Sequence, residues 1–121
     1  MLPQRITSPP LTKADVIRYL TVCCERESPP RVDELAVLWS TTRENLTRRF
    51  TADYGVPLSV FLKEQQIARA ISLLRDSALS TTAIAYRCAF GTRRTFFRAF
   101  RRHTGITPDQ FRRTIADGLS S

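Results

Sequence analysis

The sequence predicts an all-α fold of seven helices, and three observations carry that prediction. Apolar residues recur at helical spacing along most of the chain, and no stretch alternates with the period of two that marks a strand. Hydroxyl residues, Pro and Gly stand where helices start and stop. One pattern occurs twice: Leu35-Ala36 matches Ile84-Ala85, Leu46 and Phe50 match Phe96 and Phe100, Gly55 matches Gly105, and Phe61 matches Phe111. The last four pairs share an offset of fifty residues and the first has forty-nine, so the second copy carries one extra turn residue. Each copy reads as a short helix, a tight break and a second helix, which is a helix-turn-helix layout. The expected organisation is an N-terminal flexible arm (1–11), a first helix-turn-helix subdomain (12–56), a linker helix (57–77), a second subdomain (78–116) and a frayed tail (117–121).

Taken in order, residues 1–11 hold Pro3, Pro9 and Pro10 and no periodic pattern, hence the arm. Thr12 with Asp15 three residues on is a capping-box start. The first helix runs to about Glu27, with Val16, Ile17, Leu20 and Cys23 or Cys24 at helical spacing, and Ser28-Pro29-Pro30 stops it. Val32 to Leu38 is a short second helix with Leu35 and Ala36 inward. Trp39-Ser40-Thr41 is a turn. Either Thr41 (with Glu44) or Thr42 (with Asn45) caps the third helix, which runs to about Ala52. Leu46 and Phe50 face inward there, and Glu44, Thr47, Arg48 and Thr51 face outward. Gly55 supplies a left-handed stop.

Leu58 to about Asp76 is the longest periodic run, with Phe61, Leu62, Gln65, Ala68, Ile71, Leu73 and Leu74 as its apolar stripe. Ser77 to Ser80 breaks it, and Ser80 can cap the fifth helix, whose pattern is Ala83 to Cys88. After the break Ala89-Phe90-Gly91, the sixth helix runs from Thr92 to about His103. On its wheel Phe96, Ala99, Phe100 and His103 share the inner face. Arg94, Arg98 and Arg101 lie opposite, flanked by Phe97 and Arg102. Gly105 ends this helix. Thr107-Pro108-Asp109-Gln110 opens the seventh, with Pro at its first position and Phe111 packed inward.

Charge then points to function. The formal net charge is +8, and seventeen of the nineteen basic residues are Arg. Residues 1–86 hold eleven basic and nine acidic residues; residues 87–121 hold eight Arg against Asp109 and Asp117. A local basic block points to a polyanionic partner. The sixth helix carries Arg93, Arg94, Arg98, Arg101 and Arg102 with no acid, whereas a merely solvated face mixes signs. In a helix-turn-helix the second helix enters the major groove, where Arg reads guanine bidentately. The third helix is weaker, with Arg43, Arg48 and Arg49 against Glu44 and Asp53. A linker helix of roughly 28 Å suits successive major-groove segments ~34 Å apart. The expectation is a monomer that sets two different recognition helices on an asymmetric duplex-DNA site.

Other classes are disfavoured. No stretch is long and apolar enough to span a bilayer, and the N-terminus lacks the apolar segment of a signal peptide. The expected location is cytoplasmic and nucleoid-associated, with no membrane partner. Cys23, Cys24 and Cys88 suit reduced, mostly core thiols rather than a disulfide framework or a metal site. No nucleophile–base pair, phosphate loop or ligand cluster suggests an enzyme, a cofactor or a metal. The single histidine, His103, is expected at the core or the helix C-terminus.

These residues resemble the DNA-binding domain of the AraC/XylS family of bacterial transcription regulators. The matching positions are Leu35-Ala36, Leu46-x-Arg48-x-Phe50, Gly55, Phe61-Leu62, Ala70 with Leu73-Leu74, Ile84-Ala85, Phe90, Phe96-x-x-x-Phe100, Gly105, Pro108 and Phe111-Arg112. The resemblance covers roughly residues 13–115, and the second unit is its specific part. It implies binding to promoter DNA and contact with RNA polymerase. By position it implies base reading by Glu44, Thr47 and Arg48 and by Arg93, Arg94, Thr95 and Arg98. Arg43, Thr51, Phe97, Arg101 and Arg102 complete the expected DNA-binding set. Phe97 either meets a thymine methyl or folds back onto the core.

Several positions depart from the family. Ser40 and Ala89 stand at the usual turn Gly, and Gly91 at the usual Ser N-cap of the sixth helix. Gln66 stands at a common Arg. Arg49 replaces an apolar residue and either pairs with Asp53 or marks a weakened first unit or a partner surface. The chain is too short for the sensor domain most family members carry. It is read as a naturally short regulator or as a piece of a longer one, and Met1 with the arm favours the former. The alternative function is a protein-interaction module of the same fold that modulates another regulator or RNA polymerase.

Overall fold

The structure is a computed structural model that describes residues 9–118. Among these residues seven α-helices and no strands occur: α1 (Lys13–Arg26), α2 (Val32–Leu38), α3 (Arg43–Tyr54), α4 (Leu58–Asp76), α5 (Thr81–Arg87), α6 (Arg93–Thr104) and α7 (Pro108–Gly118). The expected arm at 1–8 and the last three residues of the expected tail lie outside the described residues. Asp117 and Gly118, expected to fray, belong to α7.

Five of the seven helix starts among the described residues follow local capping chemistry, while α2 and α4 have no side-chain cap. The Thr12 hydroxyl accepts from the Asp15 N–H at 3.1 Å, and the Asp15 carboxylate accepts from the Thr12 N–H at 3.0 Å. That backbone bond, with the Thr12 hydroxyl, holds the Asp15 carboxyl below its ordinary range. Thr42, not Thr41, caps α3 by accepting from the Asn45 N–H at 3.1 Å, and α3 runs two residues past Ala52 to Tyr54. Ser80 caps α5, which therefore begins at Thr81 rather than Ala83, and Cys88 is its C-cap residue. The expectation that Gly91 caps α6 is corrected. Thr92 is the N-cap, its hydroxyl accepting from the Thr95 N–H at 3.0 Å. Gly91 is the extra residue of the second turn and is held at a φ of 86°. The Thr107–Gln110 pair closes a reciprocal cap on α7.

Two hydrophobic clusters form the interior. The first is built on Val16, Leu20, Leu35, Leu46, Phe50 and Phe61, the second on Ile67, Leu74, Ile84, Phe90, Phe96 and Phe100. α4 serves both, through Leu58, Phe61 and Leu62 at its start and Ile67, Ala70 and Leu74 further on. The single apolar stripe expected on α4 is corrected accordingly. Ala68 is exposed and Gln65 half-buried, while Gln66, Ile67 and Ala70 are buried. The reason is packing on several sides: α1, α3, α5, α6 and α7 all contact this helix. The arm also ends differently from expectation. Leu11 is buried in the first cluster, and the Pro9 carbonyl accepts from the Trp39 indole N–H at 2.9 Å.

The two helix-turn-helix units meet along a seam as well as through α4. Ala89, in the second turn, belongs to the first cluster. The buried Gln66 side chain donates to the carbonyls of Cys88 and Ala89. Arg69 of α4 donates to the Thr21 hydroxyl at 2.6 Å, and Arg87 lies 3.9 Å from the Glu27 carboxylate. A Cβ placed on Gly91 would sit 3.0 Å from the Pro29 Cγ. Ser40 and Ala89, the two departures from a turn Gly, adopt left-handed φ values of 55° and 64°. The backbone keeps the conformation that favours Gly although the side chains differ.

Candidate nucleic-acid interface

α6 is an amphipathic cylinder with a sharply divided surface. Phe96 and Phe100 are fully buried, and Phe90 and Phe111 close on them with ring centroids 5.0 Å and 5.5 Å away. Arg93, Arg94, Thr95, Arg98, Arg101 and Arg102 are exposed. The core thus fixes the rotation of α6 and turns its arginines to solvent. His103 is exposed too, which corrects its expected place on the inner face. The inward arc of α6 is narrow: Ala99 is only half-buried, and beyond it an open cleft separates α6 from the first turns of α4.

The arginines differ in their partners. Arg93 pairs with Asp109 of α7 at 3.3 Å, and its guanidinium stacks on the Phe97 ring at 3.9 Å. Phe97 itself lies edge-on against Phe96 and half-buried at the margin of the second cluster. Of the two readings of Phe97, the packed one is what its contacts support. Among the described residues Arg94, Arg98, Arg101 and Arg102 make no ion pair or side-chain hydrogen bond with the protein. Arg94 sits in the first turn of α6, where no acid occurs. A cation there opposes the helix dipole, at about 0.3–1 kcal/mol. Cations in the last turn, Arg101 and Arg102, are favourable to the helix and need no ligand to explain them. Arg94 has no such structural benefit.

α3 presents a weaker version of the same surface. Arg43, Glu44 and Arg48 are exposed, while Thr47 and Thr51 are half-buried. Arg43 pairs with Asp33 at 3.3 Å. Arg48 donates to the Asn45 side chain, and the Thr51 hydroxyl is taken by the Thr47 carbonyl at 2.9 Å. Glu44 makes no ion pair among the described residues. Neither does Arg49, so of the alternative readings of Arg49 the pair with Asp53 is not formed. Arg49 is instead an exposed cation beside a shallow depression that Trp39 and Phe50 help to line.

Not every basic residue near the C-terminus belongs to this surface. Arg112 donates to the carbonyls of Leu74 (3.2 Å), Leu79 (2.6 Å), Leu73 (3.3 Å) and Ser77 (3.2 Å). It closes the C-terminal end of α4 and holds α7 against it. The sequence signal for this lay only in the family pattern Phe111-Arg112.

A family model described as a helix-turn-helix domain matches residues 35–114. The chain belongs to the AraC/XylS-type helix-turn-helix family.

Among its relatives is the HTH-type transcriptional regulator Rv1931c of Mycobacterium tuberculosis, 34% identical over 71% of this chain and 33% of that protein. The probable transcription factor PqrA of Proteus vulgaris is 26% identical over 81% of this chain and 80% of the relative. The chain thus spans a third of the first relative's length and most of the second's. Among solved structures, the DNA-binding domain of AdpA in complex with a target DNA is 28% identical, with a TM-score of 0.69 over 84% of this chain and 90% of that one. An AraC-type transcriptional regulator from Chromobacterium violaceum is 28% identical, with a TM-score of 0.63 over 85% and 96%. Among the described residues of this chain, no helix is long and apolar enough to cross a membrane, and no group of His, Cys, Asp and Glu has the makings of a metal site.

The three thiols are free. Cys23 and Cys88 are buried and Cys24 is half-buried. Burial pushes the Cys88 thiol up to about 12 and raises that of Cys24 as well. Both stay protonated near neutrality, which agrees with core thiols rather than reactive ones.

Proposed function

We propose that this chain is a sequence-specific duplex-DNA-binding transcription regulator that acts as a monomer through α3 and α6. The observation that carries the reading is the set of α6 arginines that have no partner among the described residues, Arg94, Arg98, Arg101 and Arg102, above all Arg94, which costs the helix stability unless an anion meets it. The family of the chain and the DNA complex of AdpA agree with it. α6 is the principal recognition helix, with Arg94 and Arg98 reading base edges and Arg101 and Arg102 on phosphate. Arg93 keeps its place through Asp109 and Phe97, so it orients rather than reads. α3 contributes discrimination through Glu44 and Arg48 and little net attraction. α4, about 28 Å long at 1.5 Å per residue, sets the spacing between the two contacts. RNA polymerase is the further partner proposed, and the nucleoid of the cytoplasm the proposed location.

A band shift on random duplex at low salt, followed by selection of bound fragments from random DNA, tests the reading. Retention of random duplex and enrichment of one asymmetric sequence are expected. No retention at low salt would overturn it and favour the protein-interaction alternative.

A further inference from the structure

An open cleft of about 580 Å³ lies between the first turns of α4 and the flank of α6. Ser59 and Lys63 line it from α4, and Thr95, Arg98, Arg102 and His103 from α6. Among the described residues no acidic side chain lines it. Lys63 is the unusual member. It is half-buried, and its ammonium lies 5.3 Å from the Phe90 ring centroid. It pairs with no carboxylate among the described residues. Burial lowers its pKa, so part of the water around this cation has been removed with no acid in exchange. Arg98 and Arg102 across the cleft likewise have no carboxylate partner among the described residues. The first turn of α4 adds backbone N–H groups, because its N-cap, Pro57, offers no side-chain acceptor. Cations gathered on a concave wall without acids repel one another unless an anion lies between them.

The place of the cleft says which anion. Ser59 follows the end of α3 by only five residues, so the α4 wall of the cleft begins just after one recognition helix and the opposite wall is the flank of the other. A helix seated in the major groove is walled by both phosphate backbones. With α3 and α6 each seated in a major-groove segment, as the DNA-binding reading has it, the backbone facing the α4 side of α6 is the one between the two contacts.

We propose that this cleft is a phosphodiester site, in which Lys63, Arg102 and His103 grip the DNA backbone between the two major-groove contacts. The assignment rests on the DNA-binding reading and adds Lys63 of α4, which lies outside both recognition helices, and His103 at the end of α6. Lys63 and His103 act on phosphate and carry no sequence information, because phosphate contacts position the protein while base contacts specify.

The test uses the full chain on a random 30-base-pair duplex over a range of salt. Lys63→Gln is expected to weaken binding about three- to tenfold and to reduce the log–log salt slope by about 0.9, the value of one phosphate contact. Lys63→Arg should restore both, and His103→Gln, at an exposed position, should weaken binding in the same direction. The ranking of sequences selected by the wild type should not change in any of these variants. Neutral methylphosphonate linkages throughout the duplex segment between the two contacts should abolish the Lys63→Gln effect. If wild type binds and Lys63→Gln keeps its affinity and slope, the phosphodiester site is wrong while DNA binding stands. Micromolar saturation by inorganic phosphate together with an unchanged slope would make this a free-anion site and also overturn the assignment. Failure of the wild type to bind any duplex would instead remove the DNA-binding reading.

Discussion

The side-chain amide of Gln66, in the middle of α4, donates to the carbonyl of Ala89 at 3.0 Å. It donates to the Cys88 carbonyl as well, at 3.1 Å. One buried polar group thereby fixes the linker helix to the turn of the second unit. Carbonyls at the end of a helix lack intrahelical partners, and Gln66 supplies them inside the seam.

Gln66→Leu should therefore destabilise the protein by about 1–3 kcal/mol, the cost of leaving buried acceptors unpaired. Urea unfolding would measure it. A variant as stable as the parent would show that the bonds from Gln66 contribute nothing net. Its DNA salt slope should match the wild type, because Gln66 is buried.

Arg112 gives a sharper separation of charge from structure. Its guanidinium meets four carbonyls, two in the last turn of α4 and two in the segment that follows it. An ammonium has the charge but not the planar fork. Arg112→Lys should lower stability by about 1.5–3 kcal/mol, the scale of a charged hydrogen bond, and leave the salt slope of DNA binding unchanged. A reduced slope with unchanged stability would place Arg112 on phosphate instead.

The two left-handed turn residues should respond differently to Gly. Ser40 is exposed at a φ of 55°. Relief of a left-handed strain of about 1–2 kcal/mol outweighs the extra freedom of the unfolded Gly chain, about 0.4–1 kcal/mol. Ser40→Gly should raise the midpoint of thermal unfolding. Ala89 has a φ of 64° but is fully buried in the seam. Removing its methyl costs about 0.8 kcal/mol of burial, so Ala89→Gly should bring no gain. Equal stabilisation by both changes would mean that the seam does not depend on that methyl.

Stability should fall on the alkaline side. Burial raises the Cys88 thiol to about 12 in the folded protein, whereas an unfolded thiol titrates near 8.5. Between those values the unfolded chain releases a proton that the folded chain retains. The stabilisation is complete below about pH 8.5 and is lost as pH rises toward 12, by up to about 1.4 kcal/mol per pH unit. Cys88→Ser should flatten the stability profile over pH 9–11 as measured by urea unfolding. A slope unchanged by Cys88→Ser would contradict the assignment.

Much of the fold was legible because helix starts are written locally. Thr12 with Asp15, Ser80, and Thr107 with Gln110 cap the helices they were expected to cap. The inward faces of α2 and α3 followed from spacing alone, since each packs on one side. α4 did not, because a helix packed from several directions buries an arc that no single stripe describes. The seam was invisible for a related reason: Gln66, Arg69 and Ala89 meet partners 22 to 52 residues away. At the interface, the arginine face of α6 was legible from sign and period. The pairing of Arg93 with Asp109, and the diversion of Arg112 into the fold, depended on how α7 docks. His103 shares the wheel position of the inner face but is exposed on the wall of the open cleft between α6 and α4, which a helical wheel does not record.

In the proposed DNA-binding mode the two units contribute unequally, with α6 providing most of the attraction to DNA and α3 the discrimination. The most direct measurement is a pair of titrations for Arg98→Ala, Arg48→Ala and Glu44→Ala, on random and on selected duplex at one salt concentration. Arg98→Ala should cost about 1–3 kcal/mol on the selected site and relax preference at one base pair. Arg48→Ala should weaken random-duplex binding much less. Glu44→Ala should strengthen random-duplex binding, by removing a charge that repels phosphate, while lowering discrimination at one position. If Arg48→Ala weakens binding to random duplex as much as Arg98→Ala does, the two units are equal partners, which contradicts a division of labour between α3 and α6.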